Sequence, residues 1–204
     1  MLEAVTILKV KHLVQLLAVQ PACPPGFATK DDHRRGLRLI RAHSWFLYGM
    51  AHRFEITERV QFSETDMAGI VHFSNFYRYM ERVEHAFFRS LGMSIVDPPH
   101  HGSERVGWPR VHAACDYFLP LKFEDEFRIE LLVEEVRPKV VRYLFRFWRM
   151  DGGLSAEGRI TAACVSKDPE TGRMKAVHIP DRIRGQIEAA PPELLARPAK
   201  PAQE

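Results

Sequence analysis

One long apolar stripe followed by a run of alternating segments narrows the folds open to this chain more than any other feature. Phe76, Tyr77, Met80, Val83, Phe87 and Leu91 recur at three- and four-residue spacing, the period of an amphipathic helix. Ser74 stands where an N-cap belongs and Gly92 where a helix closes. Four alternating segments come after it. Val111, Ala113, Cys115 and Tyr117 run up to Pro120; Phe127, Ile129, Leu131 and Val133 run up to Pro138. Val141, Tyr143, Phe145 and Phe147 end at Asp151-Gly152-Gly153, and Ile160, Ala162 and Cys164 end before Asp168-Pro169-Glu170-Thr171-Gly172. Connectors this short imply antiparallel pairing. Phe54, Ile56, Val60 and Phe62 supply a first strand, and a sixth short strand over 174–179 leads to a short helix carrying Ile183 and Ile187. Residues 93–109, with Pro98, Pro99, Gly102 and Gly107, read as a long loop. The expected class is α+β, a curved antiparallel sheet wrapped around one long helix. Large residues on the outward parity, Phe118, Leu144 and Trp148, suggest that a second copy covers part of the outer face.

The segments flanking this region differ in character. Residues 1–49 carry Leu2, Val5, Leu8, Leu13, Leu16 and Leu17 at loose helical spacing, then Pro21, Pro24, Pro25, Gly26 and a basic stretch over 34–41. They read as a dispensable N-terminal extension, residues 50–188 as the folded domain and residues 189–204, with Pro191, Pro192, Pro198 and Pro201, as a loose Pro-rich tail. Seven of the 29 Lys and Arg residues lie in the first 49 positions against three acids, so the body carries almost no net charge although the whole chain is +3. A dedicated nucleic-acid binder concentrates positive charge in its fold, and this one does not. The run from Leu13 to Val19, broken by Gln15, is too short to span a bilayer. Cys23, Cys115 and Cys164 are too scattered for a disulfide framework or a metal site, which fits a reducing cytoplasm and no metal.

The distinctive segment joins the first strand to the helix: Phe62-Ser63-Glu64-Thr65-Asp66-Met67-Ala68-Gly69-Ile70-Val71-His72-Phe73-Ser74-Asn75-Phe76. It puts Asp66 near the positive end of the helix dipole, where backbone N–H groups lack intrahelical partners. An amide near Phe73 suits the oxyanion of a bound carbonyl, while Asp66 attacks that carbonyl or activates water. The bland alternative is that Asp66 and Glu64 cap the helix or line a turn.

The stretch from Thr65 to Arg82, with its D-x-x-G-x-V-x-x-x-x-Y/F core, resembles the hot-dog-fold thioesterases of the 4-hydroxybenzoyl-CoA thioesterase and YbgC-like acyl-CoA thioesterase family. The resemblance extends over roughly residues 53–187. It implies a hot-dog fold, hydrolysis of an acyl-CoA to a free acid and CoA, no cofactor beyond the CoA of the substrate, and a homodimer or homotetramer. It also implies that Asp66 is the catalytic carboxylate and that the Phe73 backbone amide polarises the thioester carbonyl. Gly69 matches the glycine that tightens the loop, and Asn75 a small polar residue beside the site. Phe76 and Tyr77, with Trp108, would line the acyl pocket. Some members carry histidine where Phe73 stands and an aromatic where His72 stands; His72 is therefore kept as a catalytic candidate that could equally bond the turn.

Other residues carry weaker signals. Glu81 and Glu84 lie on the helix, where a related hot-dog lineage places its carboxylate, but with Asp66 present Glu81 reads as a helix-face partner of Arg78 or His85. His100 and His101 lack a third ligand. Lys139, Arg142, Arg146, Lys167, Arg173 and Lys175 are candidates for the CoA phosphates. Two rivals stand beside hydrolysis: a non-catalytic hot-dog module that binds an acyl thioester, and an enoyl-thioester hydratase or dehydratase, whose His-Phe start is present here without the Pro-Gly that should follow.

Overall fold

Strict alternation over 127–133 and 141–147 predicts two neighbouring strands that share one buried face, and these form the centre of the sheet. In a computed structural model, which describes residues 50–95 and 105–197, five strands run in the order β1-β4-β5-β6-β3. They are β1 (Arg53–Arg59), β3 (Arg110–Tyr117), β4 (Glu126–Arg137), β5 (Val140–Arg149) and β6 (Leu154–Ala163), all antiparallel to their neighbours. A smaller sheet pairs β2 (Val106–Gly107), β7 (Val165–Lys167) and β8 (Met174–Ala176). The sixth strand expected over 174–179 thus belongs to a second sheet, and the loop expected over 93–109 contains its third member. The N-terminal extension, His100, His101 and residues 198–204 lie outside the described residues.

Helix α1 (Asn75–Ser90) lies on the concave face. Its stripe of Phe76, Tyr79, Met80, Val83, Phe87 and Phe88 is buried against Ile129, Leu131, Val133, Tyr143, Phe145 and Phe147. Register fixes this face, because Ile129 stands opposite both Ile56 and Phe147, and Tyr143 opposite Val133 and Ile160. Under Met80 the strand must be Gly158: a β-carbon there would overlap the Met80 thioether. That close approach explains why β6 begins at Leu154, earlier than its pattern suggests, since Ala156 and Gly158 face the core without hydrophobic bulk. Gly92 closes α1 at φ +71, with its N–H on the Arg89 carbonyl at 3.0 Å and the Met93 N–H on the Phe88 carbonyl at 3.0 Å.

The outer face differs from the sequence-based expectation. Leu144 is fully buried, together with Leu132, by Ala190, Leu194 and Leu195 of this same chain. Residues 189–197, expected as part of a loose tail, run across the sheet and form α3 (Pro192–Leu195), after the single turn α2 (Asp181–Arg184) that carries Ile183. Arg146 anchors them: its guanidinium donates to the carbonyls of Leu194 at 2.7 Å, Leu195 at 2.9 Å and Ala196 at 2.8 Å while pairing with Glu157 at 3.2 Å. A buried guanidinium that satisfies the last carbonyls of α3 requires tail and sheet together, and proline spacing alone carries no sign of it. Trp148 donates its indole N–H to Glu130 at 3.2 Å, and Arg197 covers the Phe118 ring. No helix among the described residues is long and apolar enough to cross a membrane.

Candidate active site

Residues 62–72 fold back on themselves before α1 begins. A 3-10 turn over Phe62–Glu64 leads into a four-residue turn in which the Gly69 N–H meets the Asp66 carbonyl at 3.0 Å and the Asp66 N–H meets the Ile70 carbonyl at 2.9 Å. Gly69 takes φ +73, a left-handed conformation that a side chain resists. Bridges between Thr65 and Val71 and between Ile70 and Lys122 fasten the turn to the chain entering β4. Phe62, expected in the first strand, caps the outside of this turn at 77% exposure and stacks edge-on against Phe123. Asp66 is half-buried; its Oδ1 accepts the Ala68 N–H at 2.8 Å, which orients the carboxylate, and Oδ2 accepts no hydrogen bond from the described residues.

The helix start offers the complementary group. The Asn75 N–H is taken by the His72 carbonyl at 2.9 Å and the Phe76 N–H by the Phe73 carbonyl at 3.3 Å. The Phe73 N–H has no acceptor among the described residues, and its ring is 59% exposed. His72 is engaged locally: its N–H donates to the Glu64 carbonyl at 2.9 Å and its Nδ1 lies 2.8 Å from the Ser74 hydroxyl. Ser74 therefore spends its hydroxyl on His72 and makes no side-chain cap. The Ser74 N–H is also directed at Nδ1, at 3.4 Å.

Glu64 binds the two halves together, a role its sequence position gave little sign of. Its carbonyl accepts the Asn75 side-chain amide at 2.7 Å, and its carboxylate accepts the Tyr79 hydroxyl at 2.6 Å and the Gln61 N–H at 2.8 Å. Burial and this bond hold the Tyr79 phenol far above its usual range, so it stays a donor. Asn75 is thus a buried brace. Phe76 is core, with T-shaped contacts to Tyr117 and Phe147. Tyr77 is half-buried on the helix flank, and Tyr117, on edge strand β3, donates to the Phe73 carbonyl at 3.2 Å.

Further along α1 a cavity of about 390 Å³ opens between Glu81, His85, Ile95, Trp108 and Arg110. Behind Arg110 lies Glu84, whose side chain has no exposed surface. Burial pushes the Glu84 carboxyl up to about 7, against the pull of Arg110. Among the six basic candidates for CoA phosphates, Arg146 is buried with Glu157, and Arg142 lies 3.4 Å from Glu135. Lys139 donates to the Ala176 carbonyl at 3.3 Å, while Lys167, Arg173 and Lys175 are exposed around the β7–β8 hairpin. No group of three metal-ligating side chains occurs among the described residues.

Comparison with known proteins agrees with this architecture. The family model described as the thioesterase-like superfamily matches residues 60–197. The chain is 27% identical over 141 residues to a 1,4-dihydroxy-2-naphthoyl-CoA hydrolase of Synechococcus, covering 67% of this chain and 89% of that protein. It is 24% identical over 131 residues to the acyl-CoA thioesterase YbgC of Haemophilus influenzae, covering 64% and 91%. The crystal structure of a 4-hydroxybenzoyl-CoA thioesterase superposes with a TM-score of 0.54 at 23% identity, over 67% of this chain and 99% of that one. With a match this long, and with the sheet wrapped around one helix as in these hot-dog structures, the chain belongs to the thioesterase-like superfamily.

Proposed function

We propose that the protein hydrolyses an acyl-CoA thioester, using Asp66 as the carboxylate and the Phe73 amide as the oxyanion contact. The observation that carries this reading is the Phe73 N–H, left without an acceptor at the start of α1 while the residues around it are bonded. A thioester carbonyl at that amide would develop negative charge where the helix dipole favours it. Asp66, oriented by the Ala68 N–H, then attacks the carbonyl carbon to expel CoA thiolate, and water opens the resulting anhydride; or it takes a proton from water that attacks directly. Either route consumes one water and releases the free acid and CoA. The role left to His72 is to hold the helix start through Ser74.

The working assembly is a homodimer or homotetramer. Strand β3 pairs on one side with β6 and is exposed along almost its whole length, a free edge that antiparallel addition of a second copy would complete. The setting we favour is the cytoplasm, whose reducing chemistry suits three cysteines as scattered as Cys23, Cys115 and Cys164.

Thiol release from short, medium, long and aromatic acyl-CoAs, run beside Asp66→Asn, tests the assignment. Turnover that falls at least about a hundredfold in the variant supports it, the scale of losing a catalytic proton-transfer group. Equal turnover removes Asp66 from the mechanism. Binding without thiol release from any substrate favours the acyl-thioester-binding module. A single turnover in 18O-labelled water separates the two routes, since only the anhydride route leaves label in Asp66.

A further inference from the structure

Strand β3 contains an irregularity that its sequence pattern conceals. Ala113, Cys115 and Tyr117 stand opposite Ile160, Gly158 and Ala156, so they share the helix-facing side of the sheet. Simple alternation would put Val111 on that side and Arg110 on the other. The register instead shifts between Arg110 and His112: Arg110 pairs with the fully buried Ala162, and Val111 is left at 62% exposure. This bulge turns a guanidinium inward beneath α1 and turns a valine out, the reverse of what burial of apolar surface favours.

Two hydrogen bonds hold the Arg110 guanidinium on that side. One terminal nitrogen donates to the Trp108 carbonyl at 2.9 Å and the other to Glu84, leaving three of the five guanidinium N–H groups uncommitted. Its side chain is still 29% exposed, and that part forms a wall of the 390 Å³ cavity. Ile95, Val106 and Trp108 give the cavity an apolar floor, and Arg105 brings a second cation to its rim. Among the described residues Glu81 is the one carboxylate on the lining, and burial lowers the pKa of His85. Two arginines over an apolar floor match a ligand with an apolar body and an anionic end.

We propose that this cavity is a carboxylate-recognition site, in which Arg110, held in place by Glu84, binds the carboxylate end of a small apolar acid. The acid has two possible sources: a free carboxylic acid such as a hydrolysis product, or the distal carboxylate of a dicarboxylic acyl-CoA. The second source rests on the thioesterase reading, and the first does not. Glu84 makes the site proton-linked. The groups facing its carboxyl are Arg110 of β3, Glu81 of its own helix and Tyr143 of β5, whose hydroxyl has no hydrogen-bond partner among the described residues. Glu84 Oε1 is likewise buried without a hydrogen bond among the described residues. When a ligand carboxylate takes over the charge of Arg110, Glu84 binds a proton rather than remain ionised in an apolar interior.

Calorimetry of benzoate and octanoate on the intact protein tests the free-acid source, with Glu84→Gln and the double variant Glu84→Gln/Arg110→Gln alongside. The expected result is millimolar or tighter binding by wild type, weakened at least tenfold in the double variant. The wild-type binding enthalpy should depend on the ionisation heat of the buffer, and its affinity should fall up to tenfold per pH unit above 7. Glu84→Gln should bind without that buffer or pH dependence, a separation that a purely structural ion pair would not give. The double variant leaves no unpaired buried charge, and circular dichroism at each pH confirms its fold. For the dicarboxylic source, kcat/KM for suberyl-CoA over octanoyl-CoA should exceed one in wild type and fall at least tenfold in the double variant. If neither acid binds at 10 mM and suberyl-CoA has no advantage, or if the double variant behaves as wild type in both assays, the proposal is wrong. Loss of all turnover in Asp66→Asn with carboxylate binding intact would show that the two sites stand independently.

Discussion

Replacing Glu84 by glutamine should change how stability depends on pH, by an amount the structure sets. The carboxyl is wholly buried, and its pKa rises from 4.5 to about 7 on folding, through burial opposed by Arg110. A carboxyl whose pKa is higher in the folded state binds its proton more tightly there. Its stabilising effect is complete below pH 4.5 and is lost as pH rises through about 7. The difference amounts to about 3 kcal/mol, at about 1.4 kcal/mol per pH unit. The glutamine amide does not titrate, and its carbonyl can still accept from Arg110. Urea denaturation of wild type and Glu84→Gln at pH 5, 6, 7 and 8 isolates the effect, because other titrating groups cancel in the difference. Wild type should lose stability relative to the variant by about 1 kcal/mol or more between pH 5 and 6 and gain nothing back by pH 8. Curves that stay parallel across the range would falsify the account of Glu84 as a buried, readily protonated acid.

Two further substitutions test separate parts of the fold. Leu144→Ala should cost about 2–3 kcal/mol in urea denaturation, the lower part of the range for a buried leucine because the strap over residues 190–195 can settle into the space. The sedimentation coefficient should be unchanged; a shift to a smaller species would mean that a second copy, rather than the chain's own terminus, covers this face. Gly69→Ala meets no atom within 4 Å but must hold φ +73, so it should cost about 1–2 kcal/mol through backbone strain alone. In thiol-release assays it should lower kcat more than it raises KM, and wild-type kcat would show that the turn need not be held tightly.

The central strands were legible because Phe127 to Val133 and Val141 to Phe147 alternate without interruption, and a two-residue period has one meaning when both sides of the pattern are filled. The same rule failed in two neighbouring strands, β6 and β3, for different reasons. β6 starts early because Ala156 and Gly158 leave room for Met80, and small residues carry no periodic signal. Val111 fits the alternation of β3 but is the bulged residue, because one inserted position reverses the meaning of every residue before it. At the site, the start of α1 followed from the apolar period beginning at Phe76, and Asp66 from its place in the loop before that helix, whereas Gly69 came with the family resemblance and Ser74 makes no side-chain cap. Glu64 could not be read in the same way, since its bonds reach Tyr79 fifteen positions away and depend on α1 folding back over the turn. Leu144 was read as covered by a second copy, whereas Ala190, Leu194 and Leu195 of this chain cover it, and proline spacing said nothing of an Arg146 that collects the carbonyls of Leu194, Leu195 and Ala196.

The start and the middle of α1 handle charge in opposite ways. At its start, carboxylate and amide are partly open: Asp66 bonds only its own turn, and the Phe73 N–H bonds nothing among the described residues. Three turns on, a carboxylate and a guanidinium are drawn beneath the helix, at a site where a leucine facing an apolar residue would pack without any desolvation cost. The pair comes with a bulge that exposes Val111, and Glu84 Oε1 and the Tyr143 hydroxyl have no hydrogen bond among the described residues. Stability alone argues against each of these features, and nothing in the packing of the core requires them. What they accomplish together is to fix one guanidinium against an apolar cavity wall at the beginning of the free edge strand. A fold that departs from its own burial rules at one place, in several ways that all serve to orient one side chain, is built around what that side chain binds.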